Sequence, residues 1–172
     1  MGFLIDTNLW IAIERGKLSA ADIYAITGQQ PVYLSPVNLA EVRFGIGMMA
    51  NVKQKQRAMA TLRRMRRKPL LRITGDTGEV FGVLASRLTK LGRSADFRVQ
   101  DLWLAAQAVQ RDFTVLTASA KDFKDIPGLK VLEVKARLTR DRWICPVRFH
   151  NAPVLRVFDV KNELMAQYPT SN

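Results

Sequence analysis

Five short apolar runs punctuate this chain, at residues 3–6, 32–34, 70–73, 113–117 and 130–134, and most stretches between them carry apolar residues at helical spacing. Strands that alternate with helices argue an α/β fold with a mainly parallel sheet and helices on both faces. With 172 residues, 48% of them hydrophobic, the chain suits one domain with a real core and is too apolar for general disorder. The helices are expected at 8–14, at 19–28, from Ser35-Pro36 onward, over 52–67, from Thr74 or Thr77 to Gly92, and through Asp101–Val109, the last starting a turn before Asp101. No internal repeat or low-complexity tract interrupts the pattern.

Ends of parallel strands line the ligand crevice of such a fold. The first run, Phe3-Leu4-Ile5, closes on Asp6, which places a carboxylate at such an end. Three further acids have a reason to face inward. Glu41 shares a helix face with Val37, Ala40, Phe44 and Met48, where a carboxylate has to be paired, protonated or bound to a metal; an ion pair with Arg43 is the plainer alternative. Asp101 shares a face with Leu104, Ala105 and Ala108; complementing the helix dipole is its plainer role. Asp122 follows the 113–117 run as Asp6 follows the first, with Asp125 a neighbouring competitor, and Ser119 with Asp122 also fits a capping box.

Lys and Arg number 27 against 15 Asp and Glu, a formal charge of +12, which draws polyanions such as RNA or DNA. Residues 53–68 concentrate this charge on a segment with an inner stripe of Met59, Leu62 and Met65; it reads equally as a solvated helix face or a nucleic-acid track. The single cysteine, Cys145, cannot form an internal disulfide, and Asp6 breaks the only apolar run near the N-terminus, so neither a signal peptide nor a span of roughly 20 residues is expected and a cytoplasmic location fits. The expected organisation is a domain over 1–135 and an extension over 136–172. Prolines break the extension, a strand is expected near 154–158 and a helical turn or two over 161–167; His150 and Cys145 lack metal spacing.

Four carboxylates in one pocket repel one another, and a hard divalent cation removes that repulsion. Mg²⁺ takes oxygen ligands and keeps several waters, which suits acids supplied by separate elements; such an ion lowers the pKa of a bound water and neutralises charge on a phosphate. The surrounding Lys and Arg then offset the acidic pocket and hold a nucleic-acid backbone over it.

The chain resembles the PIN-domain ribonucleases, specifically the VapC-like toxins of toxin–antitoxin pairs. The resemblance rests on Phe3-Leu4-Ile5-Asp6-Thr7-Asn8, Leu34-Ser35 through Ala40-Glu41 and Gly45-Ile46, Asp101-Leu102 with Ala105-Ala106, and Leu116-Thr117 through Asp122-Phe123 with Pro127-Gly128, in order along about residues 2–134. It implies a three-layer α/β/α sandwich, Mg²⁺- or Mn²⁺-dependent endoribonuclease activity, frequent homodimers and neutralisation by a cognate antitoxin. It also implies that Asp6, Glu41, Asp101 and Asp122 form the acidic set, Asp6 and Asp101 on the metal and Glu41 and Asp122 on it directly or through water. Asn8, Thr117 and Ser119 would be supporting polar residues, with Ser119 standing where the family often has Asn or Asp. The alternatives are a nucleic-acid-binding module without catalysis, and a nuclease of this fold that processes RNA or DNA outside any toxin–antitoxin pair.

Overall fold

The computed structural model describes residues 1–93 and 99–135. The chain runs β1 (Phe3–Ile5), α1 (Thr7–Glu14), α2 (Ala20–Thr27), β2 (Val32–Tyr33), α3 (Pro36–Gly47), α4 (Val52–Met65), α5 (Gly75–Lys90), α6 (Val99–Gln110), β3 (Thr114–Thr117), a single 3-10 turn (Ala120–Asp122) and β4 (Lys130–Glu133). The strands form one parallel sheet in the order β2-β1-β3-β4. Phe3, Leu4 and Ile5 sit opposite Thr114, Val115 and Leu116 on one side, and Phe3 and Leu4 sit opposite Val32 and Tyr33 on the other.

Alternation along the strands sends successive side chains to opposite faces. Leu4 and Val115 pack with Leu84, Leu88, Leu102 and Ala105 of α5 and α6. Ile5 and Leu116 pack on the other face with Leu9 and Trp10 of α1, Ile23 of α2 and Met65 of α4. The result is the expected α/β/α layering. The alanines of α6 (Ala105, Ala106 and Ala108) are fully buried, so this helix lies close against its neighbours.

Local chemistry fixes the helix ends. Ser19, Ser35 and Thr74 each open a helix with a reciprocal capping box, and Asn51 caps α4 by accepting from Gln54 N–H. Thr74 is therefore the cap of α5, while Thr77 lies buried at the third helical position and donates to Gln110 Oε1 at 2.6 Å. At the far end Gly92 takes φ +70°, and Arg93 N–H and Gly92 N–H reach back to Leu88 O and Thr89 O, a Schellman closure.

Two expectations are corrected. Residues 70–73 do not form a strand. Leu70 makes one isolated parallel bridge to Leu34, after which α6 and the residue that follows it supply the donors that a neighbouring strand would have given: Gln107 Nε2 to Leu71 O at 2.6 Å and Arg111 Nη2 to Arg72 O at 3.2 Å. The inward face of α3 is also displaced. Asn38, Gly45 and Ile46 are its buried positions, with Leu39 and Val42 packed on the core, whereas Ala40 and Met48 are exposed. Apolar residues surround this helix on every side, so spacing does not single out one face. The expected start of α6 before Val99, near Asp96, and everything expected of residues 136–172 lie outside the described residues.

Candidate functional site: an acidic crevice at the ends of β1 and β3

From β1 the chain passes to β2 on one side of the sheet, while β3 pairs with β1 on the other. That reversal opens a crevice at the carboxyl ends of β1 and β3. Asp6 follows β1 directly, and its N–H donates to Leu116 O at 2.8 Å, which ties it to the end of β3.

Asp6 sits in a dense polar setting. Thr117 Oγ1 donates to Asp6 Oδ2 at 2.7 Å and itself accepts from Asn8 Nδ2 at 3.3 Å and from Ser119 N–H at 3.0 Å. Asn8 Oδ1 accepts from Ala118 N–H at 3.1 Å. The residue keeps some surface, yet protein crowds its carboxylate. Desolvation raises the pKa to about 6, against the hydrogen bond from Thr117 and the nearby N–H groups of Thr7 and Asn8, which lower it, while the charge of Asp122 raises it further. Those two N–H groups stop short of a capping bond. Ser119 contributes its backbone; its hydroxyl makes no hydrogen bond among the described residues, and the anticipated box with Asp122 does not form, because only the backbone Asp122 N–H reaches Ser119 O.

Glu41 is half-buried and takes a hydrogen bond on Oε2 from Thr7 Oγ1. Thr7 in turn accepts from Asn38 Nδ2 at 2.9 Å. The Arg43 pairing does not occur: Arg43 Nη1 lies 4.0 Å from Met59 Sδ. Burial raises the Glu41 pKa to about 7, the Thr7 hydrogen bond opposes this, and the charges of Asp6 and Asp101 add to it.

The four acids thus share one electrostatic neighbourhood. Asp6 feels Asp122, and Glu41 feels both Asp6 and Asp101. Asp101 stands in the first turn of α6 as described, so its charge also complements that helix end. Asp125 is drawn elsewhere, to Arg93 at 3.1 Å. Among the described residues no three His, Cys, Asp or Glu side chains stand close enough together to hold a metal ion as they are placed. The donors are hard oxygens with an excess of negative charge that is costly in the ionised state, and this fits a hard cation that enters with much of its water retained.

A cavity of about 730 Å³ opens from Thr7 and Glu41 between α1, α3 and α4. Its walls combine Ile11, Val42 and Met49 with Arg15, Arg57 and an ion pair between Glu14 and Arg64. Beyond these, α4 carries Lys53, Lys55 and Arg63, all exposed. Sequence reasoning missed Thr7 and Asn38. Thr7 follows an aspartate before a helix and reads as capping chemistry; Asn38 at the third position after Ser35 signals a box but not its second arm toward α1. No local signal links Glu14 to Arg64, 50 positions apart.

Comparison with known proteins agrees with this architecture. The model of the family described as "PIN domain" matches residues 3–129. Ribonuclease VapC1 of Rickettsia felis is 32% identical over 138 residues, covering 80% of this chain and 99% of that protein. Ribonuclease VapC of Rickettsia bellii is 30% identical over 135 residues, covering 78% and 97%. In fold, the chain is similar to the crystal structure of VapBC2 from Rickettsia felis bound to a DNA fragment from their promoter, with a TM-score of 0.66 at 20% identity over 78% of this chain and all of that one. It is also similar to VapBC-5 of the VapBC family of toxin-antitoxin systems from Mycobacterium tuberculosis, with a TM-score of 0.61 at 23% identity over 77% of this chain and 98% of that one. With this match along most of its length, the chain belongs to the PIN-domain family, among the relatives of VapC.

Proposed function

We propose that this protein is a divalent-metal-dependent endoribonuclease that acts in the cytoplasm as the toxin of a toxin–antitoxin pair. The observation that carries the reading is the nearness of Asp6 and Glu41: two carboxylates from separate elements, each held by a threonine hydroxyl, with Glu41 raised by burial and further by the charge of Asp6. Asp6 and Asp101 would hold Mg²⁺ or Mn²⁺, with Glu41 and Asp122 joining directly or through water. When bound, the ion supplies the charge that neutralises these acids and a phosphate, and it acidifies water. Asn8 and Thr117 keep Asp6 in place. The exposed Lys and Arg of α4 draw the RNA backbone toward an otherwise repulsive pocket. The chain's one histidine and one cysteine lie outside the described residues, and water is the proposed nucleophile.

The toxin reading is supported by the relatives named Ribonuclease VapC and by the toxin–antitoxin complexes that share the fold; the proposed assembly is a homodimer neutralised by a cognate antitoxin. The test is RNA cleavage by the purified chain with Mn²⁺ or with EDTA, beside Asp6→Asn and Asp101→Asn. Cleavage that requires Mn²⁺ and disappears in both variants supports the reading. Cleavage untouched by both changes rejects it, and RNA retention without any cleavage leaves a binding module in its place.

A further inference from the structure

The carboxylates Asp6 and Glu41 are each served by the same three-part device. At Asp6 the order is Asn8 amide, Thr117 hydroxyl, carboxylate; at Glu41 it is Asn38 amide, Thr7 hydroxyl, carboxylate. The second device joins α1 to α3, and its members are buried: Asn38 is 1% exposed and Thr7 is 7%.

Proton directions in this second device follow from donor and acceptor chemistry. Ser35 N–H is a donor only, so the atom of Asn38 that meets it at 2.6 Å is the carbonyl Oδ1. The Asn38 amide is therefore turned with Nδ2 toward Thr7 Oγ1. Nδ2 carries hydrogens and no lone pair, so Thr7 accepts there. The single hydroxyl proton of Thr7 is left for Glu41 Oε2. Glu41 Oε1 makes no hydrogen bond among the described residues, and Glu41 lines the cavity.

We propose that Thr7 and Asn38 are positioning residues that fix Glu41 with Oε2 committed to Thr7 and Oε1 turned to the metal or its water. This rests on the reading of the crevice as a metal site. Residues that orient a metal's carboxylate ligands typically alter affinity by about 10–100-fold when lost. Thr7 bonds Glu41 directly and Asn38 reaches it through Thr7, so their effect passes through Glu41.

The experiment is calorimetric titration of the full chain with Mn²⁺ alone, without RNA. Thr7→Val keeps the volume and removes the hydroxyl; Thr7→Ser restores it; Asn38→Ala removes the amide. Thermal melts accompany each, since Asn38→Ala also loses a helix cap, and the Thr7 pair is decisive where Asn38→Ala fails to fold. The expected result is Mn²⁺ affinity about tenfold weaker or more in Thr7→Val and Asn38→Ala, and recovered in Thr7→Ser. Wild-type affinity in Thr7→Val, or Thr7→Ser as weak as Thr7→Val, overturns the proposal while the metal site stands. A wild-type chain that takes up no Mn²⁺ overturns the metal reading and this inference together.

Discussion

Thr117 Oγ1 donates to Asp6 Oδ2 at 2.7 Å across 111 positions of sequence, and this bond closes the crevice between β1 and β3. Thr117 is fully buried and also accepts from Asn8 and Ser119. Thr117→Val preserves the shape, leaves those donors without a partner and takes the side-chain hydrogen bond from the carboxylate. The expected cost is about 1–3 kcal/mol of stability. The Asp6 pKa should rise further, because the lost bond lowers it. Denaturant unfolding and carboxyl NMR titration read the two effects; an unchanged Asp6 titration would show that the bond is idle.

The metal-free protein should lose stability as pH rises. Asp6 and Glu41 both stand above their ordinary values, at about 6 and about 7, mainly through burial. The folded state therefore keeps protons that the unfolded chain has released. The stability this gives is complete below about pH 4 and is lost as pH climbs through 6 to 7, on the order of 3 kcal/mol per group at most. The two acids interact and titrate as a pair. In EDTA, Asp6→Asn and Glu41→Gln should gain melting temperature over wild type at pH 8 and not at pH 4.5. Mn²⁺ should stabilise wild type more at pH 8 than at pH 5. Parallel melting curves for wild type and both variants across this range would contradict the burial of these charges.

The C-terminus of α6 closes on a strained residue. Asp112 has φ +55°, and the N–H groups of Asp112 and Phe113 bond to Val109 O and Ala108 O as a Schellman closure with no glycine. Asp112 also meets Lys130 Nζ at 2.5 Å, but both side chains are exposed, so that pair contributes little. Asp112→Ala should cost about 1 kcal/mol, since alanine tolerates this backbone less well than aspartate. Asp112→Gly should match or exceed wild type. Urea midpoints of the two variants check the order, and a more stable alanine variant would refute it.

Gly2 is held by space. A Cβ there would come within 2.8 Å of the Phe113 ring, which is stacked on Tyr33 with centroids 5.6 Å apart and so has limited room to retreat. Gly2→Ala should destabilise by about 1–3 kcal/mol through overpacking. Gly2→Ala with Phe113→Leu should recover part of the loss, measured as a double-mutant cycle by thermal unfolding.

The layer order was legible in the chain because Phe3-Leu4-Ile5 and Val115-Leu116 are short apolar runs separated by helices, and only crossovers join parallel strands. The segment 70–73 has strand composition, yet the carbonyls of Leu71 and Arg72 are taken by Gln107 of α6 and by Arg111 just past its end, information that lies 36 or more positions away. The α3 face was misplaced because that helix is apolar all round. Ser119 and Asp122 have capping-box spacing, but the turn between them spans three residues and never develops the helix that a box requires. Asp6 was readable from its place at a strand end. Its neighbour Thr7 was not, since its partner Glu41 lies 34 positions on and on another helix.

The order β2-β1-β3-β4 also constrains how this protein comes into being. Asp6 is made 111 positions before Thr117, its hydroxyl donor, and β3 beside it arrives only with residues 114–117. A nascent chain shorter than that carries the aspartate without the crevice. Translation must run past residue 117 before Asp6 and Thr117 can be brought together, so a shorter nascent chain cannot yet form the crevice.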